Sequence, residues 1–93
     1  MGSKRDKLQV IHDILKAIQL KNNLIKRTHI LYKANLSHQM LDVYLNDLIK
    51  RGFIIETLTK KNSKMYSLTD KGYEYVNKYN MVTNFMDLFG LDK

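Results

Sequence analysis

Three histidines and nine carboxylates are the side chains through which this sequence could do acid–base or metal chemistry, and no cysteine adds a thiolate. A metal site needs several such groups at spacings that let them converge on one ion. His12, His29 and His38 show no such spacing with any carboxylate, and His12 and Asp13 are adjacent, so a helix would not hold them on one face. There is no phosphate-cradling glycine loop and no nucleophile motif. A chain of 93 residues also leaves little room for an enclosed pocket. The expectation is a protein that is not an enzyme and takes no cofactor or metal.

The chemistry on offer is electrostatic. Sixteen Lys and Arg against nine Asp and Glu give a net charge of +7, and the surplus lies in residues 1–69; residues 70–93 hold slightly more acid than base. Such a balance suits a polyanion, because each phosphate neutralised releases condensed counterions. Three groups of residues stand out. Lys26, Arg27, Thr28 and His29 come first, with Tyr32 and Lys33 a turn later. Ser37, His38, Gln39, Asp42, Val43 and Asn46 form a more polar group. Lys60, Lys61 and Lys64 then surround Asn62 and Ser63.

The elements that must hold these groups follow from periodicity. Leu8, Ile11, Ile14, Leu15 and Ile18 recur at helical steps, predicting an amphipathic helix over about 5–20, with Ser3 and Asp6 at capping-box spacing. Lys21-Asn22-Asn23 ends it. A second helix is expected over about 26–34, with Ile30 and Leu31 inward, then a tight connection through Asn35-Leu36-Ser37. Ser37 suits the N-cap of a third helix over about 38–51, whose buried stripe is Leu41, Tyr44, Leu45, Leu48 and Ile49. Gly52 stands at the C′ position. The period then changes to that of strands, 53–59 and 64–68, joined by a polar turn over 60–63. Thr69 caps a last helix over about 70–89, in which Gly72 is a residue tolerated where backbones approach closely.

Helix, helix, turn, helix, hairpin, helix is the order of a winged helix-turn-helix, mainly α with a small β-hairpin. In that arrangement the second helix of the pair enters a major groove while the first braces it on the backbone. Segment 38–51 becomes the recognition helix. Gln39 is suited to bidentate pairing with adenine, and His38 to a phosphate or a purine N7. The free N–H groups at the start of segment 26–34 favour an anion beside Lys26 and Arg27. The lysines of the hairpin tip suit phosphates or a minor groove. Taken one at a time, each group is also what a solvated helix face or an ordinary lysine-rich turn looks like. Their order along the chain is what points to double-stranded DNA.

Three blocks carry a family resemblance: Thr28-His29-Ile30-Leu31-Tyr32-Lys33-Ala34-Asn35-Leu36-Ser37; Leu45 and Leu48 before Gly52-Phe53-Ile54; and Tyr66-Ser67-Leu68-Thr69-Asp70-Lys71-Gly72. Over about residues 8–80 the chain resembles archaeal winged-helix regulators, in particular the group holding the small "ten-a" chromatin proteins of Sulfolobus. The resemblance implies a DNA-binding homodimer whose C-terminal helices form an antiparallel coiled coil. This chain departs from that pattern in a shorter last helix ending in Phe89-Gly90-Leu91.

Within that last helix, Tyr75, Tyr79, Val82, Met86 and Phe89 have coiled-coil seam spacing, and Met81, Phe85 and Leu88 form a second apolar line. Two lines exceed what one small domain covers, so residues 70–93 are expected to form a dimerisation helix behind a DNA-binding part, residues 1–69, in one structural unit. No segment is apolar enough to span a bilayer, and no apolar stretch of signal-peptide type follows the N-terminal charges, so a cytoplasmic, nucleoid-associated protein is expected. A transcriptional regulator of repressor type is the leading expectation. A nucleoid-associated architectural binder and a winged-helix adaptor for other proteins are the alternatives.

Overall fold

In the computed structural model, which describes residues 5–21 and 24–91, the first capping residue is an aspartate. Asp6 sits in extended backbone, and its carboxylate accepts from the Gln9 N–H at 2.8 Å, so that α1 spans Lys7–Leu20. The expected partner in a capping box, Ser3, lies outside the described residues, as do Asn22 and Asn23 at the other end. α1 buries Val10, Ile11, Ile14, Leu15, Ala17 and Ile18. Leu8 does not belong to this stripe and is 58% exposed. Val10 and Ala17 widen the stripe on its other flank, which rotates its centre away from Leu8.

A two-residue strand, β1 (Ile25–Lys26), leads directly into α2 (Arg27–Ala34). Asn35 ends α2 in the left-handed region at φ 53°, and the Leu36 N–H returns to the Leu31 carbonyl at 3.2 Å. Ser37 caps α3 (His38–Lys50), its hydroxyl oxygen accepting from the Met40 N–H at 3.1 Å. α3 ends in a Schellman arrangement: Gly52 at φ 85°, the Phe53 N–H on the Leu48 carbonyl at 2.9 Å, and the Gly52 N–H on the Ile49 carbonyl at 3.1 Å.

The expected hairpin forms from β2 (Ile54–Leu58) and β3 (Lys64–Leu68), but the sheet has three strands in the order β1-β3-β2. β1 pairs antiparallel with β3, Ile25 opposite Tyr66 and Lys26 opposite Met65. A two-residue strand shows no alternation from which to read it, and its place is decided by the free edge of β3. The hairpin loop closes through the Asn62 N–H on the Thr59 carbonyl at 3.0 Å and the Thr59 N–H on the Ser63 carbonyl at 2.8 Å, with Asn62 at φ 64°. A left-handed residue at this point gives the loop the strand twist a short hairpin needs.

Thr69 then joins three elements. Its Oγ1 caps α4 (Asp70–Leu88) by accepting from the Gly72 N–H at 3.1 Å and donates to the Gly52 carbonyl at 2.6 Å, while its own N–H donates to Phe53 O at 3.1 Å. α4 comes so close to the start of β2 that a Cβ on Gly72 would lie 2.5 Å from the Phe53 carbonyl oxygen. The core gathers Ile14, Leu15 and Ile18 of α1, Ile25 of β1, Ile30 of α2, Leu41 and Leu48 of α3, and Val76 of α4, all fully buried. No helix among the described residues is long and apolar enough to cross a membrane.

Candidate nucleic-acid interface

The first turn of α2 is open. Its N-cap, Lys26, offers no side-chain oxygen to the leading N–H groups, and Lys26, Thr28 and His29 are exposed around them, with Tyr32 and Lys33 exposed a turn later. An anion there meets free N–H donors, the positive end of the helix dipole and cations together. The pairing of β1 with β3 sets Lys26 beside Met65, one residue from Lys64 at the loop end of the hairpin. Lys60, Lys61, Asn62 and Lys64 are all exposed, and Lys26 and Lys64 lie on neighbouring strands of one sheet. Lys64 keeps a loose contact with Glu56, 3.9 Å away across the strands.

On α3, the outward positions His38, Gln39, Asp42, Val43 and Asn46 are exposed, and Val43 is a bare apolar patch among them. Ser37 is exposed as well, its oxygen engaged in the cap. Three of the residues expected to contact DNA are bound to one another. The Arg27 guanidinium donates to Asp42 Oδ1 from Nη2 at 2.7 Å and from Nε at 3.2 Å. It also reaches the His38 carbonyl at 3.0 Å and His38 Nδ1 at 2.9 Å. This ties the start of α2 to the first two turns of α3. The spacing of His38 and Asp42, one turn apart on a helix, was visible in the sequence; their arginine partner was not.

Arg5 plays an unexpected positioning part. It pairs with Asp13 at 2.8 Å and donates to the carbonyls of Ala34 and Asn35, at 2.6 and 3.0 Å, so α1 holds the turn between α2 and α3. Beneath the hairpin, Tyr66 donates to Glu56 at 2.8 Å, and burial together with that bond pushes its phenol up to about 12.

The expected dimer residues divide into two sets. Tyr75 and Tyr79 are occupied within the chain: Tyr75 packs edge-on against Phe53 and donates to the Leu8 carbonyl at 2.8 Å, and Tyr79 stacks on His12 at 4.2 Å. His12 in turn contacts Asn80 Oδ1 at 3.0 Å. Beyond this point α4 leaves the body. Met81, Val82, Phe85, Leu88 and Phe89 are between 57% and 78% exposed, and Met86 is half-buried. An open groove of about 490 Å³ runs between Leu8, Phe53 and α4 as far as Thr83. Among the described residues, no group of His, Asp or Glu is placed to hold a metal ion.

A family model described as winged helix-turn-helix matches residues 4–87. An uncharacterised protein of Methanocaldococcus jannaschii is 41% identical over 69 residues, 74% of this chain. The chain spans only 29% of that relative's length. Among solved structures, Sso10a-2, a DNA-binding protein from Sulfolobus solfataricus, superposes with a TM-score of 0.79 at 20% identity, over 95% of this chain and 90% of that one. TubR of Bacillus thuringiensis, bound to 24 bp of tubC, does so with a TM-score of 0.69 at 25% identity, over 78% and 81%.

Proposed function

Because the chain belongs to the winged helix-turn-helix family, we propose that it binds double-stranded DNA as a homodimer and acts as a sequence-selective regulator of transcription. The observation that carries this reading is the set of three exposed groups, the open, cationic start of α2, the outer face of α3 and the lysines of the hairpin, with β1 bringing Lys26 next to the hairpin strand and Arg27 joining α2 to α3. α3 enters the major groove, where Gln39 and His38 reach base edges and Asn46 and Val43 follow along it. Lys26, Thr28, His29 and Lys33 lie along one phosphate strand, and Lys60, Lys61, Asn62 and Lys64 along the next. The exposed end of α4 joins two copies. Sso10a-2 carries the same fold in a DNA-binding protein, and TubR carries it on a duplex.

The test is an anisotropy titration of the protein against a random duplex and against a duplex selected from a randomised pool, each at two salt concentrations. A DNA binder loses affinity steeply with salt on both and prefers the selected duplex. An adaptor for other proteins binds neither. An architectural binder holds both alike.

A further inference from the structure

Arginine can only donate hydrogen bonds, and neutral histidine has one nitrogen that donates and one that accepts. Arg27 Nη1 lies 2.9 Å from His38 Nδ1, so in the neutral ring Nδ1 must be the acceptor and the proton must reside on Nε2. The same guanidinium is held by Asp42 Oδ1, at 2.7 and 3.2 Å, and by the His38 carbonyl at 3.0 Å, so its position is fixed from both turns of α3. Its side chain is 28% exposed, against 62% for Asp42.

We propose that Arg27 is a positioning residue rather than a phosphate anchor: it fixes His38 as an Nε2–H donor on the reading face of α3, which restricts His38 to acceptor-bearing partners. In a major groove those partners are purine N7, guanine O6 and thymine O4, or a phosphate oxygen at its edge; the amino groups of adenine and cytosine are excluded. Two features argue against a phosphate role. Asp42, at 2.7 Å, cancels the charge of Arg27, so the pair adds little to the attraction of a polyanion. Arg27 would also have to abandon Asp42 on a surface facing phosphates. For its DNA target the inference rests on the function proposed above; the tautomer of His38 does not.

The experiment therefore has two arms. The first uses the free protein: long-range proton–nitrogen correlation spectra of the histidine rings at mildly alkaline pH. The expected result is a single Nε2–H tautomer for His38 in the wild type and a mixture in the charge-neutral double variant Arg27→Ala/Asp42→Asn. Arg27→Lys keeps the charge but lacks the fork that spans Asp42 and His38, and it should also give a mixture. A mixed or Nδ1–H tautomer in the wild type overturns the proposal.

The second arm compares the selected duplex with copies that each lack one acceptor: 7-deazapurines remove N7, 2-aminopurine removes guanine O6, 5-methylpyrimidin-2-one removes thymine O4, and a methylphosphonate removes a charged phosphate oxygen. For the wild type, one replacement should weaken binding roughly five- to a hundredfold. In the double variant that difference should shrink while the salt slope stays unchanged. A slope that falls by about one contact with discrimination intact makes Arg27 a phosphate anchor and overturns the proposal. A wild type that shows the Nε2–H tautomer yet binds no duplex removes the DNA target, leaves Arg27 a brace between helices, and fails the function reading separately from the tautomer.

Discussion

Gly72 shows how much a single position can depend on its neighbours. On helix propensity alone, alanine there would gain up to about 1 kcal/mol. A Cβ, however, would meet the Phe53 carbonyl at 2.5 Å, and that carbonyl already accepts from Thr69 at 3.1 Å and cannot turn aside. Gly72→Ala should therefore destabilise the fold by about 1–3 kcal/mol in urea unfolding, and a rise in stability would mean that α4 slides away from β2 at no cost. Two tyrosines give a prediction in pH. Burial pushes Tyr66 and Tyr75 up to about 12, and the bond to Glu56 reinforces the shift at Tyr66. In the unfolded chain both ionise near their ordinary value of about 10. The unfolded state thus loses protons first: the stability these phenols add is complete below about pH 10 and is lost as pH rises from there towards 12. Melting temperature should drop across that window, with tyrosinate absorbance appearing alongside it. Full tyrosinate formation at ordinary pH in a still-folded protein would contradict the burial of these rings.

At the scale of elements, α3 and the hairpin are expected to do different work, and mutation can separate them. Gln39 is exposed on α3, with the spacing and chemistry to read a base edge. Gln39→Ala should cost about 1–3 kcal/mol on a selected duplex and much less on a random one; equal losses on both would reduce α3 to a docking element. The hairpin tip carries Lys60 and Lys61 on a loop held by turn bonds around Thr59, with Lys64 at the first residue of β3, so it offers charge without a pattern matched to base edges. Replacing Lys60, Lys61 and Lys64 with Ala should weaken all duplexes alike and flatten the salt dependence by up to about 0.9 per lysine that met a phosphate. An unchanged slope would place the hairpin outside the interface. The same scale explains what pattern reading misses. Helices of 13 and 19 residues display their period, whereas β1 has two residues and exists because β3 offers it a free edge.

For the whole molecule the question is what covers the far end of α4. The helix gives its first half to the domain, through Val76, Tyr75 and Tyr79, and leaves the second half bare. Across 81–91 the only charge is Asp87, so two copies can meet there with little repulsion. A two-fold axis at this point would set two copies of α3 on half-sites about one helical turn apart, or a multiple of it. Val82→Glu with Met86→Glu should give a monomer in sedimentation while sparing the surface around Lys26 and α3. Affinity for a palindromic duplex should then fall far more than affinity for one half-site. A wild type that sediments as a monomer at micromolar concentration would dispose of the dimer.

The sequence by itself determined what is local and periodic: Ile11, Ile14, Leu15 and Ile18 of the α1 stripe and Leu41, Leu45 and Leu48 of the α3 stripe, beside which Tyr44 and Ile49 are only half-buried, the caps at Ser37 and Thr69, the left-handed end at Gly52, the hairpin, and the placement of positive charge on its first three quarters. Each depends on residues within a turn or two of one another, so the signal survives without knowledge of the fold. Only the tertiary structure decided what depends on distant chain segments meeting. It brought Lys26 to the loop end of the hairpin through β1, drew Arg27, His38 and Asp42 into one contact, set Arg5 against the end of α2, exposed Leu8, and packed Tyr75 and Tyr79 against α1 and Phe53. These contacts join residues 11 to 67 positions apart in the chain. Separation on that scale leaves no periodicity to read, because side-chain contact is set by the angles at which helices and strands pack.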